Sequence, residues 1–170
     1  MRYDLRKLGL GQFFLKAALA TYAGGQAAEK VGDKWRFRHV SEDGRMVYED
    51  EYVVSDGFSG GTTTICLDGI PAWMTQYQGW CQNDDPEVLA FLKQALCHAY
   101  RQGAFLGGRG PKDFVDPDRG DLHYANVVED PYSLTNFSRF RGRERIWRDS
   151  NPTAEVFYHV YQGMLLGDPA

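Results

Sequence analysis

Residues 62–78 read Thr62-Thr63-Thr64-Ile65-Cys66-Leu67-Asp68-Gly69-Ile70-Pro71-Ala72-Trp73-Met74-Thr75-Gln76-Tyr77-Gln78. Two β-prone runs, Thr62 to Leu67 and Ala72 to Gln78, flank Asp68-Gly69. That dipeptide is the strongest short hairpin signal, because the tight turn that joins twisted strands needs positive φ at both central positions. Upstream, Met46 to Val54 and Trp35 to Val40 alternate as strands, separated by the turn chemistry of Ser41-Glu42-Asp43-Gly44. Four strands in succession predict an antiparallel meander. Ahead of it, Leu15, Ala18, Leu19 and Tyr22 recur at helical spacing within Gln12 to Tyr22, and Gly24-Gly25 supplies a stop.

The pattern then starts again. Asp85-Pro86-Glu87 combines a capping carboxylate, a proline at the first helical position and an acid in the first turn. Val88, Leu92, Ala95, Leu96 and Ala99 form the apolar stripe, and Gly103 follows its end. Gly107 to Asp121, rich in Gly, Pro and Asp, reads as a long loop of the kind that carries function. Strands are expected near Leu122 to Val128, Ser138 to Arg141, Arg145 to Arg148 and Glu155 to Gln162. Val53-Val54-Ser55-Asp56-Gly57-Phe58-Ser59 is echoed by Val127-Val128-Glu129-Asp130-Pro131-Tyr132-Ser133, and Gln76-Tyr77-Gln78-Gly79 by Val160-Tyr161-Gln162-Gly163. The offset grows from 74 to 84 residues between the two echoes, which places insertions around 129–136 and 151–154. The expected architecture is α+β: two helices packed on a largely antiparallel sheet, in a single domain of residues 1–170. A two-fold internal repeat of helix plus β-meander is expected, with related halves 11–81 and 82–166.

Bulk properties exclude several roles. At 170 residues the chain can bury roughly 70% of its unfolded surface, so no metal or disulfide staple is required. A formal charge of −4 gives no overall pull toward nucleic acid or anionic membrane. Cys66, Cys81 and Cys97 are odd in number and lack a C-x-x-C pair, which fits reduced thiols in the cytoplasm. The apolar run Leu8 to Leu15 behind Arg6 and Lys7 is a poor signal-peptide core, interrupted by Lys16 and weakened by Gly9 and Gly11. No apolar run approaches the ~20 residues of a bilayer span.

Motifs with catalytic spelling lack their context. Gly57-Phe58-Ser59-Gly60-Gly61 matches G-x-S-x-G, yet the β-prone Thr62 to Leu67 follows where a nucleophile elbow needs a helix, so it reads as a glycine-rich turn between strands. Gly107-Gly108-Arg109-Gly110-Pro111-Lys112 lacks the ending and the preceding strand of a phosphate loop. His39, His98, His123 and His159 have no ligand spacing, and neither a metal nor a cofactor is expected. Arg139, Arg141, Arg143, Arg145 and Arg148 form the one basic cluster, read as a solvated strand face that discourages edge pairing.

Strand parity is more informative. Tyr48, Asp50 and Tyr52 point to one side of their strand, Trp73, Thr75 and Tyr77 to one side of theirs, and Phe157, His159 and Tyr161 occupy the corresponding places near the C-terminus. Aromatic walls with a few placed polar groups suit a small-molecule pocket. The candidate ligand-binding residues are therefore Tyr48, Asp50, Tyr52, Trp73, Tyr77, His159 and Tyr161.

Tyr48-x-Asp50-x-Tyr52, Phe58-x-Gly60, Ile65, Gly69-x-Pro71-x-Trp73-Met74, Tyr77-x-Gly79 and the later Phe140-x-Gly142-x-Glu144-x-Ile146 resemble an uncharacterised bacterial family of domains of unknown function. Residues 14–25 are similar to its opening helix. The family also occurs behind Xre-type helix-turn-helix regulators, and the resemblance implies a sensing or partner-binding module. The family has no assigned catalytic residues to carry over. The expected function is a cytoplasmic, non-enzymatic module that binds a small, partly aromatic or cationic ligand, with no membrane association and no direct nucleic-acid binding. The alternatives are a protein–protein or homo-oligomeric assembly module, and a small hydrolase or isomerase using Asp50 or His159.

Overall fold

A computed structural model of the protein describes residues 9–116, 120–129 and 137–166. The first helix, α1 (Leu10–Ala20), is followed by β1 (Glu29–Val31), β2 (Lys34–Val40), β3 (Met46–Ser55), β4 (Phe58–Leu67) and β5 (Ile70–Cys81). The second helix, α2 (Pro86–Arg101), precedes β6 (Asp113–Val115), β7 (Leu122–Val128), β8 (Arg139–Arg148) and β9 (Asn151–Leu165). Among the described residues, nine strands join one antiparallel sheet in the order β1-β2-β3-β4-β5-β9-β8-β7-β6. The α+β reading is correct. Two meanders meet at β5 and β9, where Tyr77 lies directly opposite Tyr161.

Local chemistry explains these elements. Asp68-Gly69 turns β4 into β5 with φ of 51° and 80°, and Asp56-Gly57 turns β3 into β4 with φ of 52° and 82°. Asp85 caps α2 by accepting from the Glu87 amide at 2.9 Å, and Gly103 (φ 70°) ends it. Both helices touch each other, α1 lying over β2 and β3 and α2 over β7. Their buried stripes, Phe13, Phe14, Ala17 and Ala18 with Val88, Phe91, Leu92 and Leu96, share one core with Phe37, Tyr48, Ile65, Trp73, Ile146 and Phe157 of the sheet.

Several details differ from expectation. Phe58 to Gly61 is strand, not turn, because the two-residue turn ends at Gly57. The expected strands Ser138–Arg141 and Arg145–Arg148 are one continuous β8; Gly142 leaves a gap in its side-chain row that the Tyr161 ring fills, so the ladder runs on. β1 and β6 are short edge strands with no clear alternation. Residues 151–154 form the start of β9, and the extra length is absorbed as register shifts around Trp147. The other expected insertion and the echo at 130–133 lie outside the described residues, as do Arg6 and Lys7.

Candidate functional site

A cavity of about 220 Å³ lies between the two helices and the sheet. Its rim includes the exposed Val54 and Asp84. Asp84 and its neighbour Asn83 both have positive φ (49° and 54°) in the link from β5 to α2. The floor is built from successive cross-strand rows of the sheet. One row sets Ser59, Gly79, His159, Glu144 and Asn126 directly opposite one another across β4, β5, β9, β8 and β7. The next sets Tyr52, Gly61, Tyr77, Tyr161 and Gly142 across β3, β4, β5, β9 and β8.

The glycines in these rows are there for space. A Cβ at Gly61 would collide with the Tyr77 hydroxyl, and one at Gly142 with that of Tyr161. The two central tyrosines therefore splay apart, each across a glycine. Tyr77 donates to Asp50 Oδ1 at 2.8 Å, and Tyr161 donates to Asn126 Oδ1 at 2.5 Å. Thr63 also donates to Asp50 Oδ1, at 3.1 Å.

Arg109 comes into this arrangement from the loop after α2. Gly107 and Gly108 (φ 68° and 67°) make a tight turn bridged by Leu106 and Arg109. Any Cβ there would meet Tyr161 or Phe14, and one at Gly110 would meet Tyr124. The glycine run thus lets backbone lie flat on aromatic rings, and it delivers a charged side chain into the interior. The guanidinium carbon sits 4.7 Å from the centre of the Tyr77 ring and 5.5 Å from that of Tyr161. Its nearest carboxylate oxygen, Glu144 Oε1, is 3.6 Å away, and among the described residues it makes no hydrogen bond. A largely enclosed fork of N–H donors therefore borders the cavity, held by the two tyrosine rings and by the charge of Glu144.

The surrounding groups respond to burial. Desolvation raises the carboxyl of Asp50, against the opposing pull of the Tyr77 hydrogen bond and Arg109. Burial also raises Glu144, whose side chain is fully enclosed, with Arg109 and the Tyr124 hydroxyl (2.7 Å from Oε2) working the other way. Burial, and then Arg109, lower His159 to about 3, so its imidazole is neutral. Its Nε2 lies 3.1 Å from the Ser59 hydroxyl, and its Nδ1 lies 3.7 Å from Glu144 Oε1.

Of the residues picked out by parity, Tyr48, Asp50, Tyr52, Tyr77 and His159 line the cavity. Trp73 does not. It is fully buried beside Phe137 (centroids 4.7 Å apart, 10° between planes) and donates to the Phe137 carbonyl, so it belongs to the packed core. Tyr161 is also outside the lining; it lies beneath Arg109. The residues missed were Arg109, Ser59 and Glu144. Glu144 left a readable trace, as the one acid among Phe140, Gly142 and Ile146 on the inward parity of β8. Arg109 left only a charge within a glycine run.

The arginine cluster is separate from the cavity. Arg139, Arg141, Arg143 and Arg145 alternate outward along β8, which is an interior strand, so the edge-protection reading does not apply. Arg148 instead ties Asp85, Glu87 and Asp121 together. Among the described residues, no group of three or more His, Cys, Asp or Glu could hold a metal ion, and no helix is long and apolar enough to cross a membrane.

These features define a class: an α+β protein in which two helices and a glycine-relieved antiparallel sheet enclose a tyrosine-walled cavity bordered by a largely enclosed arginine. The family model for a domain of unknown function, DUF5680, matches residues 50–165, and the chain belongs to that family. The matched segment contains Asp50, Ser59, Tyr77, Arg109, Glu144, His159 and Tyr161. Comparison with curated proteins and with solved structures gives no match.

Proposed function

We propose that this chain is a small-molecule-binding module whose ligand carries an apolar or aromatic body, an acceptor group for Arg109 and a donor group for Asp50. The observation that carries this reading is the guanidinium of Arg109, bordering the cavity over two tyrosine rings, ion-paired with Glu144 at 3.6 Å but with no hydrogen bond among the described residues. Binding charge in a buried site is favourable only when the partner supplies the missing hydrogen bonds. Tyr48 and Tyr52 supply the apolar wall, and His159 a further polar anchor. The clamp of Tyr77 and Tyr161 about Arg109 agrees with a reading of the two meanders as related halves. Free thiols at Cys66, Cys81 and Cys97 agree with a cytoplasmic setting. A sensing role is also what the expected association with Xre-type regulators implies.

A thermal-shift panel of amino acids, aromatic carboxylates and nucleobases tests the reading. Zwitterionic or donor–acceptor compounds should stabilise the protein, and Arg109→Gln and Asp50→Asn should each abolish the shift. Stabilisation that survives both substitutions would sink the proposal.

A protein–protein module is the second reading, favoured by the exposed Val53, Val127 and Met164 on the same outer sheet face as the arginines. A single mass equal to one chain in light scattering, with no change on Arg143→Glu in partner pull-downs, would count against it.

A further inference from the structure

Ser59, His159 and Glu144 stand in consecutive places of one cross-strand row, interrupted only by Gly79. A Cβ at Gly79 would collide with the His159 ring, so the missing side chain is what lets the imidazole lean across β5 toward Ser59. The result is a 3.1 Å contact between Nε2 and the serine hydroxyl. On its other side Nδ1 faces Glu144 Oε1 at 3.7 Å, and both of these buried atoms lack a hydrogen-bond partner. A proton on Nδ1 directed at Glu144 leaves Nε2 as the acceptor for the serine proton. The other Glu144 oxygen is fixed by Tyr124, whose hydroxyl is fixed in turn by accepting from the Gly110 amide at 2.9 Å. Ser59, His159 and Arg109 all line the same cavity.

We infer that Ser59 is a nucleophile, with His159 as its base, Glu144 as the residue positioning His159, and Arg109 as the group that receives the developing oxyanion of an ester substrate. Such relays are recognised by geometry and roles, not by the strand–turn–helix setting that this chain lacks. Apo contacts of this kind are often long and tighten when substrate is bound. In the step, Ser59 Oγ bonds to the acyl carbon as its proton passes to His159 Nε2. The carbon–oxygen bond to the leaving alkoxide breaks, and the alkoxide takes that proton. Water, deprotonated by His159, then attacks the acyl-serine, releasing the carboxylic acid and returning the proton to Ser59. The inference rests on the cavity being a ligand site, as proposed above.

A fluorophosphonate probe tests it on the full chain. Attack by Ser59 forms an oxygen–phosphorus bond and expels fluoride, leaving a stable adduct. Peptide mass spectrometry should find one adduct per chain, on Ser59. Ser59→Ala should remove it, and His159→Gln should slow labelling by about 100-fold or more. Glu144→Gln should also slow it, with Glu144→Asp recovering part of the rate because the carboxylate is restored. No adduct, an adduct on another residue, or equal rates in wild type and His159→Gln or Glu144→Gln would overturn the inference. Running the thermal-shift panel on the same samples separates the two readings. Stabilising ligands without an adduct overturn only the nucleophile, whereas loss of both overturns the binding site as well.

Discussion

A methyl group on Gly79 would run into the Tyr158 carbonyl and the His159 ring. Backbone cannot yield as a side chain can, so Gly79→Ala should cost about 3 kcal/mol, read as a lower urea midpoint at unchanged slope. His159 gives a second prediction. Its folded-state pKa is lowered from 6.5 to about 3, so between these values the unfolded chain binds the proton more readily. Stability contributed by the neutral imidazole is complete above pH 6.5 and is lost as pH falls, by about 2 kcal/mol at pH 5. Denaturant titrations of wild type and His159→Gln at pH 7 and pH 5 check this: the variant should lack that part of the loss. Both residues show how far a position's importance lies from its own chemistry. The value of Gly79 is an absence, and it is spent on a neighbouring strand.

Among the elements, α2 and the loop after it divide stability from site-building. Asp85 caps the helix and also meets Arg148 at 3.2 Å. Asp85→Ala should therefore cost about 1 kcal/mol through the cap, seen as a small fall in thermal midpoint with ligand-induced shifts intact. The glycine turn after the helix behaves differently. Gly108 has φ of 67° and its Cβ position abuts Phe14, so Gly108→Ala strains the turn by about 1–2 kcal/mol and displaces Arg109. The expected outcome is a modest loss of stability with complete loss of the ligand-induced shift. Helix starts and stops were readable here because capping is local chemistry. The purpose of Gly107 to Gly110 was not, since the rings that the loop lies against come from α1, β7 and β9.

For the whole molecule, the main question is which aromatic side chains support the fold and which leave room. Trp73 is enclosed by Phe14, Phe105, Phe137 and Phe140. Trp73→Ala should cost about 3–5 kcal/mol, or roughly 10 °C in thermal midpoint, while any folded fraction still responds to ligand. A ligand present at 100 times its Kd should add about 2.7 kcal/mol to wild type, a shift the same measurement reads directly. Period-two alternation put Tyr48, Asp50, Tyr52, Tyr77 and His159 on one face, and Asp68-Gly69 and Asp85-Pro86 marked the hairpin and the helix start. These are short-range consequences of backbone geometry, and one chain segment is enough to state them. Which rings bound a hollow and which pack solid depends on what lies above the sheet, so Trp73 and Tyr52, alike in parity, part company in space. Arg109, Ser59 and Glu144 converge for the same reason: strand order and register, set by burying the two helices against one face, join residues that no local pattern connects.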